Sequence, residues 1–315
     1  PENTISLLRL LIFSGTIRLN WLRLKYKFMD YDDVIQHADP GPEIKERFFQ
    51  EYIAPLLKDI KSTRHLPYFF HKGYLAWRLS VKKEDLKQVK FIEWICEELR
   101  KMNEAEFIEV LSSMMAQLYD VGVRTEQGER NLYNSQVKND KQMIFSDQVR
   151  LYKILFENEF RLHTTIPYLY VCHIYRRKHK VTDTSAFVNV GASEKYHALK
   201  DTHVSLLKGD IGKLVAGFDN QIRNAGEGHD RWEVTDKDTL ILPIVEPETG
   251  DEKKRIELTQ KELDDLIKQC RKTIWILEMG YLIFLENNKE FEKKLRSKSA
   301  LKLREVEQQV KQFAD

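Results

Sequence analysis

The sequence predicts a mostly α-helical protein, with a helical N-terminal module, a C-terminal helical bundle and a small β-hairpin inserted into that bundle. Two observations lead to this fold class. Apolar residues recur at intervals of three and four along most of the chain, which is the spacing of one face of an α-helix. Residues 239–258 instead combine two β-prone runs with a turn signal between them, and this combination predicts a hairpin.

Residues 1–121 form the predicted N-terminal module, whose role the sequence leaves open. A Pro-Gly-Pro sequence breaks the chain at residues 40–42. Pro42 suits the first turn of the helix that follows, because the first turn does not need the amide hydrogen that proline lacks. We expect that helix to kink at Pro55. The predicted helices of the module span residues 4–29, 42–61, 68–79, 83–102 and 104–121.

A polar segment, residues 122–145, follows the module and contains few large apolar side chains. Long segments of this kind are usually functional loops or linkers. We therefore predict a polar linker or loop here and place the domain boundary within it. Ser146 and Asp147 have side chains that commonly cap helix N-termini, so they predict the start of the next helix.

Residues 146–315 form the predicted C-terminal domain. Its first helix is expected to break at Pro167 and to end near Lys180. Ser193 is expected to cap a later helix. The other predicted helices span residues 194–208, 211–225, 261–289 and 298–313. The hairpin at about residues 239–258 lies between the second and the third of these.

The charges of the chain nearly balance. Lysine and arginine number 51, aspartate and glutamate number 49, and the net charge of +2 gives no global field to attract nucleic acid. A nuclease of this composition needs a local basic surface instead. Such a surface for RNA phosphates is offered by Arg176, Arg177, Lys178 and Lys180. Alternatively, these residues form a cationic final turn that complements a helix dipole.

Several classes of protein are not favoured by the sequence. Cys96, Cys172 and Cys270 occur singly, which favours neither a disulfide framework nor a zinc knuckle and fits a reduced, cytoplasmic setting. No carboxylate or histidine pair has a metal-ligand spacing, so no metal site is predicted. The apolar runs at residues 5–13 and 273–285 are short and contain charges, so no membrane segment is expected. The aromatic residues of the N-terminal module are expected in its core rather than on a base-stacking surface.

Residues 221–230 carry the main functional signal of the sequence, because Arg223, Asn224 and His229 lie within them. The guanidinium is a permanent planar cation that fits phosphate oxygens, and the imidazole titrates near neutral pH and can transfer a proton. Residues six apart lie roughly 120° apart around a helix. Two glycines in the spacer weaken the helix, and this lets His229 turn back towards Arg223.

This arrangement resembles the Arg-x(4–6)-His signature of HEPN domains, which are named for higher eukaryotes and prokaryotes nucleotide-binding. In many members the signature is the active site of a metal-independent endoribonuclease. The helices before the motif, the hairpin after it and the closing helix from about Lys261 also resemble some HEPN proteins. The resemblance implies a HEPN-like bundle in residues 146–315, with Arg223 and His229 as catalytic residues and Asn224 in support.

The resemblance has further implications for chemistry and partners. It implies an RNA substrate, no cofactor, attack by the ribose 2′-hydroxyl and a homodimer in which two motifs face each other. Bacterial toxins and phage-defence effectors often contain such domains, so an antitoxin or an upstream sensor domain is an expected partner. The closing helix, residues 261–289, is apolar on more than one face, which predicts surface for a second copy.

Two other functions stay open at this point. The first is a catalytically inactive HEPN-like binding module, for example the partner of a nucleotidyltransferase, in which the motif is a contact or modification site. The second is a structural helical adaptor, whose arginine and histidine only decorate the junction between a helix and a hairpin. The sequence also leaves open the RNA target, the restraint on activity and, since the chain begins at Pro1, an upstream segment.

Overall fold

The computed structural model describes residues 41–61, 66–175, 184–202, 211–225, 232–235, 239–245 and 252–299. Most of these residues are helical, and they include a small three-stranded antiparallel sheet, which confirms the predicted fold class. The predicted helix at residues 4–29 and most of the one at 298–313 lie outside the described residues. Within the described ranges, no helix has the length and apolarity that crossing a membrane requires.

The helices are α1 (Gly41–Tyr52), α2 (Leu66–Arg78), α3 (Lys83–Lys138), α4 (Lys141–Ile154), α5 (Arg161–His163), α6 (Thr165–Tyr175), α7 (Ala192–Lys200), α8 (Asn220–Ala225) and α9 (Gln260–Asn287). Short 3-10 turns occupy Ala54–Leu56, Thr184–Asn189 and Ile211–Val215, and a π-helix, Leu155–Phe160, joins α4 to α5. The strands are β1 (Glu233–Val234), β2 (Thr239–Val245) and β3 (Glu252–Thr259). Residues 289–299 are also helical.

The chain divides into two compact units. Unit 1 comprises Pro1–Tyr119, Val181–Ser185 and Ile276–Asp315, and unit 2 comprises Asp120–Lys180 and Ala186–Trp275. Among the described residues, 276–299 thus group with the N-terminal part of the chain, whereas the sequence assigned them to the C-terminal domain.

The predicted helix break between residues 102 and 104 is confirmed. Asn103 has extended backbone (φ −158°, ψ 89°) inside α3. Its side-chain oxygen accepts a hydrogen bond from the amide of Glu106 at 3.2 Å, and its side-chain nitrogen donates to the Glu106 carboxylate. This reciprocal contact between a residue and the third one after it caps a helix, so α3 consists of two helical segments.

The predicted linker at residues 122–145 is wrong, because α3 continues to Lys138 and α4 begins at Lys141. The buried positions of this part of α3 keep helical spacing: Val121, Thr125, Gly128, Leu132 and Ser135. Most of them are small or polar, so hydrophobic periodicity did not reveal the helix. Small side chains are needed here, since a β-carbon on Gly128 would lie 3.1 Å from Cδ1 of Ile154.

The cap of α4 also differs from the prediction. Asp140 caps the helix, because its carboxylate accepts a hydrogen bond from the amide of Met143 at 3.0 Å. Ser146 and Asp147 therefore lie inside the helix rather than at its start. Asp147 is buried, and its carboxylate accepts a hydrogen bond from the hydroxyl of Ser135.

Two later helix boundaries are shifted relative to the prediction. The break expected at Pro167 lies at Thr164, because proline is accommodated in the first turn of α6. Gly191 precedes α7 and no side chain caps that helix, so the predicted cap at Ser193 is wrong.

The predicted hairpin is confirmed. β2 and β3 pair in antiparallel register, with Leu240 opposite Leu258 and Leu242 opposite Ile256. Leu240, Leu242 and Leu258 are buried, so one face of the hairpin packs inward. The two-residue strand β1 also pairs with β2, and its short length explains why the sequence pattern did not predict it.

In unit 1, the second half of α9 and the first part of α3 pack in close contact. A β-carbon on Gly280 would lie 2.4 Å from Cβ of Ile92, a distance that real carbon atoms do not adopt. Nearby, the carboxylate of Glu278 accepts hydrogen bonds from the hydroxyl of Tyr68 at 2.7 Å and from the ammonium of Lys72 at 2.5 Å. Glycine at position 280 therefore sets the separation of the two helices.

We expect Gly280→Ala to lower the free energy of unfolding by roughly 1–3 kcal/mol, because the added methyl overpacks this contact. The matched control is Gly122→Ala in α3, where an added β-carbon meets nothing within 4 Å. That change should raise stability by about 0.5–1 kcal/mol, since alanine favours helix more than glycine does. Urea denaturation monitored by circular dichroism measures the free energy of unfolding of both variants. Equal stability of Gly280→Ala and wild type would contradict the packing described.

The apolar face of α9 expected to bind a second copy is not at the surface. Six of the side chains that suggested it are at most 5% exposed: Trp275, Leu277, Met279, Tyr281, Phe284 and Leu285. The predicted surplus of apolar surface is therefore wrong, because the chain itself buries more than one face of this helix. The homodimer stays a prediction without this support.

Candidate functional site

Arg223 lies on the short helix α8, and a tight turn sets where α8 begins. The predicted helix at residues 211–225 is interrupted by Gly217, whose positive φ of 84° is a left-handed conformation that favours glycine. After this turn, the carboxylate of Asp219 accepts a hydrogen bond from the amide of Gln221 at 2.7 Å. Asp219 thereby caps α8 and fixes the direction in which Arg223 leaves the chain.

The turn before α8 is anchored to α4 and α9. The hydroxyl of Tyr152 donates to the carbonyl of Gly217 at 3.1 Å and accepts from the amide of Asp219 at 2.6 Å. The thiol of Cys270 also donates to the Gly217 carbonyl, at 3.0 Å. Burial raises the pKa of the Cys270 thiol, so this cysteine is a packing residue and not a nucleophile.

The side chain of Arg223 pairs with Glu157 on the π-helix. Its Nε donates to Oε1 of Glu157, and the two side chains are 19% and 27% exposed. A guanidinium paired in this way is held in one orientation while part of it still faces solvent. The two residues are 66 positions apart in the sequence, so no local pattern could have identified Glu157 as the partner.

A further arginine, Arg161, lies beside this ion pair. Arg161 donates from Nε to the carbonyl of Glu157 at 3.1 Å and from Nη1 to the carbonyl of Val188 at 2.9 Å. Burial lowers the pKa of the Arg161 guanidinium, Glu157 opposes this shift, and the neighbouring guanidinium of Arg124 adds to it. We call Glu157, Arg161 and Arg223 the Glu157 cluster. Two guanidiniums and one carboxylate give it a formal charge of +1, which suits a phosphate ligand.

A second polar group on the π-helix involves Glu159. Its carboxylate accepts a hydrogen bond from the hydroxyl of Thr125 at 2.7 Å and lies 3.2 Å from Nε2 of His163. The side chain of His163 is only 6% exposed. This group ties α3, the π-helix and α5 together. A π-helix has a wider turn than an α-helix and often occurs at functional sites, but it has no sequence signature that would have revealed it.

Lys195 on α7 is fully buried and holds the segment that carries Arg161. Its Nζ donates to the carbonyl of Arg161 at 2.7 Å, to the hydroxyl of Thr165 at 2.8 Å and to the carbonyl of Val188 at 3.4 Å. These three acceptors match the three donors of an ammonium group. Sequence reasoning missed Lys195, because nothing distinguishes it from the many exposed lysines of the chain.

The other predicted site residues are not described by the structure in full. His229 lies outside the described residues, as do Arg176, Arg177, Lys178 and Lys180. Asn224 belongs to α8, but only its backbone is described. Of the predicted catalytic residues, the structure therefore places the side chain of Arg223.

Among the residues that the structure describes, no three histidine, cysteine, aspartate or glutamate side chains are grouped so as to hold a metal ion. No protein-family model, curated protein or solved structure matches the chain. The site is therefore interpreted from its own residues.

Proposed function

We propose that the chain is a metal-independent endoribonuclease of the HEPN type. The observation that carries this proposal is Arg223, which is partly buried, oriented by Glu157 and accompanied by Arg161. A guanidinium held in place beside a second cation is suited to bind an RNA phosphate and to stabilise the charge that develops on it. The Glu157 cluster also supplies the local basic surface that a nuclease of nearly balanced composition needs.

In the proposed reaction, the ribose 2′-oxygen forms a bond to the adjacent phosphorus while the bond to the 5′-oxygen breaks. His229 takes the proton of the 2′-hydroxyl or gives a proton to the departing 5′-oxygen. Arg223 stabilises the charge of the phosphorane-like transition state, and Asn224 orients a phosphate oxygen or the histidine ring. One fragment then ends in a 2′,3′-cyclic phosphate and the other begins with a 5′-hydroxyl.

Glu157 has a defined part in this proposal. With no RNA bound, Glu157 neutralises the charge of Arg223. When RNA enters, a phosphate oxygen binds other donors of the guanidinium, because the group has five donors in a planar fork and Glu157 can keep Nε. Glu157 is thus a positioning residue for Arg223.

The products of cleavage distinguish this chemistry from metal-dependent hydrolysis. We expect the purified chain to cut single-stranded RNA equally well in the presence of excess EDTA, because the proposed groups are an imidazole and a guanidinium. End-group analysis should find 2′,3′-cyclic phosphates. If EDTA stops cleavage, or if the fragments carry 5′-phosphates and 3′-hydroxyls, the proposed roles of Arg223 and His229 are wrong.

A second candidate function is an inactive HEPN-like module that partners a nucleotidyltransferase. The pairing of Arg223 with Glu157 favours it, since a carboxylate already occupies part of the guanidinium. This candidate predicts nucleotide-dependent modification of the chain by the transferase and no RNA cleavage. A structural adaptor predicts neither modification nor RNA cleavage.

The proposal includes a homodimer, because one arginine and one histidine make a small active site and a second copy supplies another pair. Light scattering of the purified chain at micromolar concentration should therefore give twice the mass of one chain. A monomer with full cleavage activity contradicts a shared site. The biological setting proposed is a toxin or phage-defence effector restrained by an antitoxin or by a sensor domain.

A further inference from the structure

α1 and α2 carry a row of aromatic side chains that extends from the core of unit 1 to its surface. This aromatic strip consists of Tyr52, Phe48, Trp77 and Tyr74. Trp77 stacks on Phe48 with ring centroids 5.0 Å apart and planes 18° apart, and on Tyr74 at 5.8 Å and 27°. Phe48 is buried, whereas Trp77 is 50% exposed. The indole is therefore fixed by its neighbours and still presents a large area to solvent.

Two arginines flank the strip. Cζ of Arg47 lies 5.9 Å from the ring centroid of Phe48, and Cζ of Arg78 lies 5.9 Å from that of Tyr74. At these distances a guanidinium is attracted to an aromatic ring. Both arginines are exposed, so the strip combines stacked rings with cations at the surface. Arg47 lies one helical turn from the exposed Glu43 and Glu51, so Arg78 contributes most of the positive charge.

The segment from residue 66 to residue 83, which includes Trp77, has no acidic residue, and Glu84 and Asp85 follow it directly. Residues 66–83 contain Lys72, Arg78, Lys82 and Lys83 but no aspartate or glutamate. Lys72 pairs with Glu278 inside unit 1, whereas the other three are exposed. The charged residue nearest to Trp77 in the sequence is therefore the cation Arg78. At the opposite end, Glu51 lies beside Tyr52, so an anionic partner fits the Trp77 end.

We propose that the Trp77 end of the aromatic strip binds single-stranded nucleic acid. A base stacks on the exposed part of Trp77, and Arg78 and Arg47 contact the neighbouring phosphates. Half-exposed aromatic side chains beside cations are the usual means of binding single strands, because every base has a face that can stack. Since Trp77 is already held by Phe48, little side-chain freedom is lost on binding.

A protein partner fits this surface less well. Exposed tryptophan and arginine also occur at the centre of protein interfaces. An acid-free stretch with several exposed cations, however, matches a polyanion more closely than an ordinary protein surface of mixed charge. The strip belongs to unit 1 and includes no residue of the Glu157 cluster, so this inference stands apart from the proposed cleavage.

The test is binding of a fluorescently labelled single-stranded oligodeoxynucleotide, measured by anisotropy. A DNA probe has no 2′-hydroxyl, so binding is measured without the proposed cleavage. We expect Trp77→Ala to weaken binding by about 10- to 100-fold, because one stacked base is lost. Trp77→Phe should restore part of the affinity. The matched control is Trp94→Ala, because Trp94 also stacks on a phenylalanine, Phe91, with ring centroids 5.8 Å apart. The Trp94→Ala variant should bind the probe as tightly as wild type does.

The charge contribution is tested separately. Arg78→Gln should reduce the slope of log affinity against log salt by about 0.7, because one phosphate contact to a single strand is lost. The inference is overturned if the wild-type chain does not bind the probe, if Trp77→Ala binds as tightly as wild type, or if a duplex competes as well as a single strand. Loss of self-association in Trp77→Ala, with unchanged probe binding, would assign the strip to a protein contact. Failure of RNA cleavage with intact probe binding rejects the proposed nuclease and leaves this inference standing.

Discussion

Replacing Arg223 with alanine is expected to lower the rate of RNA cleavage by about 100- to 1000-fold, because a donor that stabilises transition-state charge is typically worth that much. His229→Ala should have a comparable effect through loss of proton transfer. The ion pair with Glu157 is mostly buried, so Arg223→Ala also lowers stability, and thermal unfolding of each variant checks that the chain used in the assay is folded. Cleavage of a labelled single-stranded RNA, followed on a gel, measures the rate.

The matched control for Arg223 is Arg255. This arginine also donates from Nε to a glutamate, Glu252, but it lies on β3 and its side chain is 59% exposed. Arg255→Ala removes the same kind of pair outside the Glu157 cluster, so cleavage should remain at the wild-type rate. Full activity in Arg223→Ala, or equal loss in both variants, contradicts the assignment of Arg223.

The second large effect is expected at Lys195. Lys195→Ala should lower the free energy of unfolding by about 2–4 kcal/mol, because it leaves a cavity and removes the donor from three buried acceptors. Its loss should also slow RNA cleavage, since Lys195 holds the carbonyl of Arg161 beside the Glu157 cluster. Urea denaturation and the cleavage assay measure the two effects. If Lys195→Ala is as stable as wild type, the hydrogen bonds of the buried ammonium do not stabilise the fold.

Stability should also depend on pH through Lys195. Burial lowers the pKa of its ammonium well below the usual 10.5, and the nearby Arg161 adds to the shift. Between the lowered pKa and 10.5 the unfolded chain holds a proton that the folded chain has released. Stability due to this residue therefore rises with pH across that window, by up to about 1.4 kcal/mol per pH unit.

The variant Lys195→Met isolates this dependence, because methionine retains most of the volume and cannot titrate. The stability of wild type relative to Lys195→Met should increase as the pH rises towards 10.5. The control is Lys261→Met, which changes a lysine that is 88% exposed, and its difference from wild type should stay flat. A flat difference for Lys195→Met as well would show that its folded pKa is not lowered.

Much of the fold could be predicted from sequence because it depends on local signals. The helix break at Asn103 and the hairpin of β2 and β3 each follow from residues close together in the chain. The second part of α3 could not be predicted by apolar periodicity, because Thr125, Gly128 and Ser135 occupy its buried stripe. There, contact with neighbouring helices selects small side chains in place of hydrophobic ones.

The candidate site was predictable only in part, because most of its contacts join residues that are far apart in the sequence. The sequence predicts Arg223 as a site residue from its chemistry and from its position near His229, and this stays a prediction. Glu157, Arg161 and Lys195 join it only through tertiary packing, over separations that no motif spans. The π-helix that carries Glu157 likewise depends on its surroundings rather than on a local pattern.

The central claim is that the ribose 2′-hydroxyl is the nucleophile and that Arg223 stabilises the reaction. The most direct measurement uses an oligodeoxynucleotide with one ribonucleotide at a defined position. The wild-type chain should cut it once, directly after that ribonucleotide, and leave a 2′,3′-cyclic phosphate, whereas Arg223→Ala should leave it intact. Cleavage of the all-deoxy strand, or cleavage by Arg223→Ala at the wild-type rate, would contradict the account.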